Sequence, residues 1–456
     1  MNNKTLSNDF TQGSIGKQLL GFSLPFMASN MLLVLYSTID MIIVGAFVGT
    51  FGLSAVSQSS QIVNFATMVC LGFSNAGQVL IGQALGAGKK QEMSNVIGSL
   101  FGYVISLSLF LAFSILILHL WILQVMNIPR ESYEMAKQYL LICASGLPFT
   151  AGYNMVSAVL RGMGDGKRPL LFIAIASAVN LILDLLFTGL WGWGVVGAAW
   201  ATILGQAASF LFSVWYLFRH RLQFGFDFKR NRFRFQPKYV SLITSLGTPM
   251  AIQSGCINLS MLFVNSLINS IGVVESATFG VGIRIDDIIN KISQGIQYAA
   301  VPMISQNMGA ENRQRAKQVV YWAWAISVSI TVVFMILYLG FGEYLFRLFS
   351  DDSRVHRMSH VFIHGIICIF PALAIMRGSG AFIQGIGNAK LGMVLAILDG
   401  VVLRIGLSRL FGIVFEMGFF GFVLGYALAA YGYAIPSLIY FLSGIWRKLP
   451  SLAQKL

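Results

Sequence analysis

About a dozen apolar runs of roughly 20 residues or more recur along the chain, and no other feature limits its possible folds so severely. A bilayer core ~30 Å thick is crossed by ~20 helical residues. Inside it every backbone N–H and C=O must find its partner within the protein, so such runs read as transmembrane helices. They fall at 19–48, 53–80, 95–123, 133–156, 169–191, 195–218, 240–271, 279–304, 319–341, 361–381, 391–415 and 419–446. The expected fold is an all-α polytopic membrane protein with about 12 transmembrane helices. Charge agrees: 11% of the residues are charged, where a soluble chain carries about 25%. Mean hydropathy is +0.73.

A net charge of +14 raises the question of a nucleic-acid partner. The positions answer it. Lys and Arg gather in alternate short loops, among them Lys89, Lys90, Arg161, Lys167, Arg168, Arg313, Arg315 and Lys317. The intervening segments hold only Arg130, Arg347, Arg354 and Arg357, mixed with acids. By the positive-inside rule both termini are cytoplasmic, and the expected location is the inner (plasma) membrane of the cell. Residues 219–238 (RHRLQFGFDFKRNRFRFQPK) interleave Arg with Phe, as some nucleic-acid surfaces do. Their setting between spans makes them a cytoplasmic linker on anionic headgroups instead, and no nucleic acid is expected. Cys70, Cys143, Cys256 and Cys368 stand singly in apolar runs and read as packing residues. The first run is too long for a signal-peptide core, so it stays as a span.

The linker separates two halves that repeat. Ser23–Leu–Pro25 recurs as Gly247–Thr–Pro249, and Gly146–Leu–Pro148 as Ile369–Phe–Pro371. Gln83–Ala–Leu–Gly86–Ala87 recurs as Gln306–Asn–Met–Gly309–Ala310, offset by 223. Arg161–Gly–Met–Gly164–Asp–Gly–Lys167 recurs as Gln384–Gly–Ile–Gly387–Asn–Ala–Lys390 at the same offset of 223. The expected layout is a cytoplasmic segment (1–18), a first lobe (19–218), the basic linker (219–239), a second lobe (240–446) and a cytoplasmic tail (447–456). With six spans apiece, both lobes enter the membrane in the same sense. The repeat is parallel, and two six-helix bundles facing one another are the architecture of an alternating-access transporter.

Polar residues inside the first lobe fall at one depth. Asp184 lies ~10 Å below the outer face of span five, with Asn180 a turn deeper; Asp40 of span one and Thr202 of span six lie ~12 Å down, and Tyr139 of span four ~10 Å. Carboxylates, an amide and hydroxyls are hard oxygen ligands suited to Na⁺. Two close carboxylates can instead share a proton. Tyr139 and Thr202 taken singly fit packing or back-bonding, and Asn180 fits a helix bridge. The acids do not, because no Lys or Arg on their own helices neutralises them. Their counterparts in the repeat, near Val264 and at Leu407, are apolar, so the fold itself does not require them. Pro25 removes a backbone hydrogen bond from span one and gives Asp40 a hinged mount.

These motifs resemble those of the multidrug and toxic compound extrusion (MATE) transporters, and within them the DinF-type prokaryotic branch. The likeness runs over nearly the whole chain: the span-one proline, the Gln–x–x–Gly–Ala turns, the Arg–Gly–x–Gly–Asp turn and the Asn180–x–x–x–Asp184 pair. It implies cation-coupled export of bulky, often cationic or amphiphilic organic compounds by a monomer in the bilayer. It also implies that Asp40, Asn180 and Asp184, with Tyr139 and Thr202, form a first-lobe cation site whose occupation rearranges span one at Pro25. The coupling ion, H⁺ or Na⁺, is left open, and no other cofactor is implied.

Other branches of that family carry acids in spans seven and ten, and this chain has none there. Its second half offers Arg284, Asp286, Asp287 and Lys291 in span eight, and Asp399, Arg404 and Arg409 in span eleven. Arg284–Asp287 and Asp287–Lys291 have the i,i+3 and i,i+4 spacings of mutually neutralising pairs, favouring structural ion pairs or a gate. Asp286 and Asp399 have no obvious partners and are second-rank candidates. Arg377, near the inner end of span ten, is expected to snorkel or to face the cytoplasmic vestibule. His360 and His364 lack a supporting ligand cluster. Two rival transporters remain, a flippase for a lipid-linked precursor and a dedicated metabolite exporter. The acidic first-lobe constellation suits cations better than a pyrophosphate. An enzyme or an ATP-driven pump is not expected, since no HExxH, GxSxG or Walker sequence occurs.

Overall fold

The structure is a computed structural model that describes residues 8–221 and 235–456, the side chains of Asn258, Leu259 and Leu262 aside. Most of the basic linker expected at 219–239, and the first seven residues, lie outside the described residues. Among the described residues there are helices and turns and no strands. Eight helices among the described residues are long and apolar enough to cross a bilayer, and a bent pair, Ser353–Ile366 with Ile369–Gly385, makes a ninth. The longest, Ile15–Gly86, has 72 residues and so crosses twice, turning at Gly49, where φ is 83°. The broken helix Arg130–Ser145 plus Leu147–Gly162 and the more polar Val273–Gly309 complete the twelve spans.

Spans one and two are thus Ile15–Gly86; span three is Lys90–Val125; span four is the pair broken at Gly146. Span five is Lys167–Asp184 continued as a π-helix, Leu185–Leu190, and span six is Gly194–Arg219. Spans seven to ten are Pro237–Asn269, Val273–Gly309, Arg313–Arg347 and the bent pair, whose halves meet at 47°. Span eleven alternates α and π segments from Ala389–Ile397 to Leu410–Val414, and span twelve joins Gly418–Ala429 to Tyr431–Ser443.

The turn motifs of the repeat have a structural purpose. Asp165 accepts the backbone N–H groups of Lys167 and Arg168, both at 3.2 Å, and pairs with the Arg168 guanidinium. It thereby satisfies orphan donors at the start of span five. Burial in the turn raises its carboxyl above the usual range, against the pull of Arg168. Asn388, its counterpart 223 residues on, caps span eleven by accepting Leu391 N–H at 3.4 Å. Gly164 and Gly387 both take the left-handed conformation (φ 84° and 81°) that closes these turns.

Packing divides the chain into two compact units. One comprises Ala28–Ala251 with Leu456 and the described part of Met1–Asp9; the other comprises Phe10–Met27 and Ile252–Lys455. The chain therefore changes unit two residues after Pro25 and again two residues after Pro249. In the first unit, a Cβ on Gly72 would sit 2.6 Å from the Ala251 backbone; in the second, a Cβ on Gly295 would sit 2.6 Å from Met27. These two contacts are repeat-related, each holding the residue at which the chain changes unit. The second unit's core mixes aliphatic and aromatic side chains, with Phe279 and Phe346 each meeting Phe362 edge to face. Trp191 and Trp193 gather around Phe187 at the end of span five, as expected where a helix meets the interface.

Candidate functional site

The first unit brings the sequence-designated residues of four spans together. Span one presents Tyr36 and Asp40, span four Tyr139 and Cys143, and span five Asn180 and Asp184, each pair four residues apart and so on one helix face. Asp40 and Asp184 lie side by side, their carboxyl groups within hydrogen-bonding reach of one another. Asp184 is wholly buried, Asn180 is 2% exposed and Asp40 9%. The Asn180 amide donates to Thr202 Oγ1 of span six at 3.5 Å, and Asn180 also neighbours Asp184. Tyr139 stands one layer away, accepting the Ser60 hydroxyl of span two at 3.4 Å. Val44, Val56, Val195 and Ala198 pack with Tyr139 and Cys143 in one buried apolar cluster.

The acids are under-satisfied. Among the described residues, Asp40 Oδ1 and both oxygens of Asp184 are buried without a donor at full hydrogen-bond geometry. Two full negative charges ~4 Å apart repel by about 4 kcal/mol at an effective dielectric constant of ~20. One positive charge between them, a proton or a small cation, removes that repulsion and satisfies the orphan oxygens. The Asn180 and Thr202 oxygens supply further hard donors.

Two residues of this group are absent from the sequence reading. Tyr36 is half-buried, and its hydroxyl meets Thr202 and faces both acids. Its signal was available, since it precedes Asp40 by one helical turn. Ser60 had no signal, being one serine among many on span two.

The second unit corrects three expectations. Asp399 is not without a partner: it bonds the Arg404 guanidinium at 3.0 Å, both groups buried. The π-helix Leu398–Leu403 makes this pairing, because its i→i+5 bonding sets residues five apart on one face. Arg284 and Asp287 do not neutralise one another; both are exposed and no ion pair joins them. Arg377 does not snorkel, being 5% exposed and bonded within the unit. Lys291 is half-buried. Asp286 is buried with an unpartnered Oδ1. His360 approaches Glu343 at 3.4 Å, and no metal-holding group of His, Cys, Asp and Glu occurs among the described residues.

Comparison with known proteins adds four findings. The family model described as MatE matches residues 25–186 and 249–410, one match in each half of the repeat. The chain is 30% identical over 449 residues to the probable multidrug resistance protein YpnP of Bacillus subtilis, covering 98% of this chain and 99% of that one. It is 26% identical over 458 residues to the probable multidrug resistance protein NorM of Thermotoga maritima, covering 97% and 95%. Among solved structures, a MOP superfamily transporter from Pyrococcus furiosus superposes with a TM-score of 0.89 over 98% of this chain and 99% of that one. At 22% identity that last likeness speaks for the fold alone.

Proposed function

The chain belongs to the MATE family of membrane transporters, and from that premise we propose that it is a cation-coupled antiporter exporting bulky organic compounds. It is a multi-pass membrane transport protein and not an enzyme. The observation that carries the proposal is the Asp40–Asp184 pair, buried side by side without donors enough for both. An ion entering from outside, H⁺ or Na⁺, neutralises the pair. Its arrival alters the packing of Asp40 and Tyr36, and with it the position of span one above Pro25. Small organic, cationic or amphiphilic compounds are the substrate class in keeping with relatives named for multidrug resistance. The basic loops keep both termini in the cytoplasm.

The test is export of ethidium from cells expressing wild type, Asp40→Asn or Asp184→Asn, with the proton gradient and Na⁺ varied separately. Wild-type export stops when one of the two is withdrawn. Either substitution lowers gradient-driven export by at least about tenfold, the scale of a modest coupling free energy. Full export by Asp40→Asn removes the proposed site.

A further inference from the structure

The second unit contains a guanidinium whose partners do not match its charge. Arg377 of span ten donates through Nη1 to Gln297 Oε1 at 3.0 Å and through Nη2 to Asn290 Oδ1. Both acceptors are neutral amides. Its Nε–H is buried with no partner. The acids of the unit do not make up the difference. Asp399 is committed to Arg404 at 3.0 Å, and Asp286 faces both arginines without forming an ion pair with either. A guanidinium has five donors in a planar fork, so the pattern leaves Nε–H and the remaining Nη–H groups for another acceptor.

The surroundings hold the fork still. Trp324 Nε1 donates to Ile375 O at 2.9 Å, and its ring lies against Gly378, where an added Cβ would sit 2.4 Å away. That closeness fixes the backbone on either side of Arg377. A Cβ on Gly380 would touch both the Gln297 amide and the Tyr433 hydroxyl at 3.5 Å. Asn290, Gln297 and Tyr298 are half-buried, so the arginine lies one layer beneath accessible surface of its own unit.

We infer that Arg377, oriented by Asn290 and Gln297, is an oxyanion subsite that takes the carboxylate of an exported compound. The inference rests on the transporter reading above and narrows its substrate class to include carboxylate-bearing and zwitterionic solutes. A carboxylate matches the guanidinium edge bidentately, which a lysine ammonium does not. Neutral amides orient the fork without cancelling its charge, as a recognition site requires and an internal brace does not. A buried arginine in a membrane span whose hydrogen-bonded partners are both neutral is costly to keep and marks a functional position.

Purified full-length protein in a neutral detergent, free of phospholipid, provides the test. Rhodamine B and its ethyl ester differ only in the free carboxylate, and their binding is followed by fluorescence. Wild type binds both. Arg377→Gln weakens rhodamine B at least about tenfold and leaves the ester within about twofold, while Arg377→Lys falls between. Equal loss of both dyes makes Arg377 a structural brace and overturns the subsite, as does no loss of either; the transporter reading survives both results. Wild type that binds neither dye speaks against both readings. Phosphatidylglycerol that displaces rhodamine B from wild type but not its ester reassigns the oxyanion to a lipid headgroup, which also overturns the inference.

Discussion

Asp399 and Arg404 show what a charge needs when hydrocarbon surrounds it. The pair is 3.0 Å apart, and the guanidinium also lies 4.7 Å from the centre of the Tyr426 ring. Removing one partner leaves a buried charge alone. Arg404→Leu is therefore expected to lower stability by about 3–5 kcal/mol, and the double change Asp399→Leu/Arg404→Leu to recover most of that loss. Thermal unfolding in detergent measures both; a double variant no better than the single one contradicts the expectation. Residues of this kind differ in how far the sequence discloses them. Asp40 and Asp184 stand out because an acid in an apolar run has few explanations. Asp399 stands out equally, but its partner does not, because the five-residue spacing matters only once the helix is known to be π. Tyr36 was hidden by being ordinary, since an aromatic residue in a membrane helix raises no question.

At the scale of the helix, the two halves share an irregularity that composition does not announce. Spans five and eleven both end as π-helices, Leu185–Leu190 and Leu410–Val414. Each is pressed by a glycine of the following span. A Cβ on Gly197 would meet the Phe187 backbone at 2.9 Å, and one on Gly421 would meet the Phe411 oxygen at 2.4 Å, both residues of each pair being offset by 224. Gly197→Ala and Gly421→Ala are expected to destabilise the protein by about 1–3 kcal/mol each, the larger loss at Gly421. Thermal unfolding separates them, and an unchanged midpoint for both would show the close approach to be slack. Length, apolarity and loop charge made the twelve spans legible, and Pro25 and Pro249 were visible as matching breaks. The break in span four at Gly146, the 47° bend in span ten and the π segments were not. They depend on which neighbour each turn packs against, and that information lies in another part of the chain.

For the molecule as a whole, the repeat was legible because its turns have fixed chemistry: Asp165 and Asn388 cap, Gly164 and Gly387 turn. Where packing passes from one unit to the other was not. The change follows Met27 and Ala251, residues held by Gly295 and Gly72. Those contacts join positions hundreds of residues apart, and a linear pattern carries no trace of them. Two helices, each starting in one unit and continuing in the other past a proline, give the proposed antiport a physical form. In that proposal, ion occupancy at Asp40 and Asp184 would act on the part of span one that belongs to the first unit. The most direct measurement uses proteoliposomes loaded with a fluorescent organic cation, in which a proton or Na⁺ gradient is imposed across the membrane and movement of dye and ion is recorded together. The account predicts that one of the two ions moves against the dye in wild type, and that Asp40→Asn/Asp184→Asn abolishes the exchange while still binding the dye. Exchange at the wild-type rate in that double variant would contradict it.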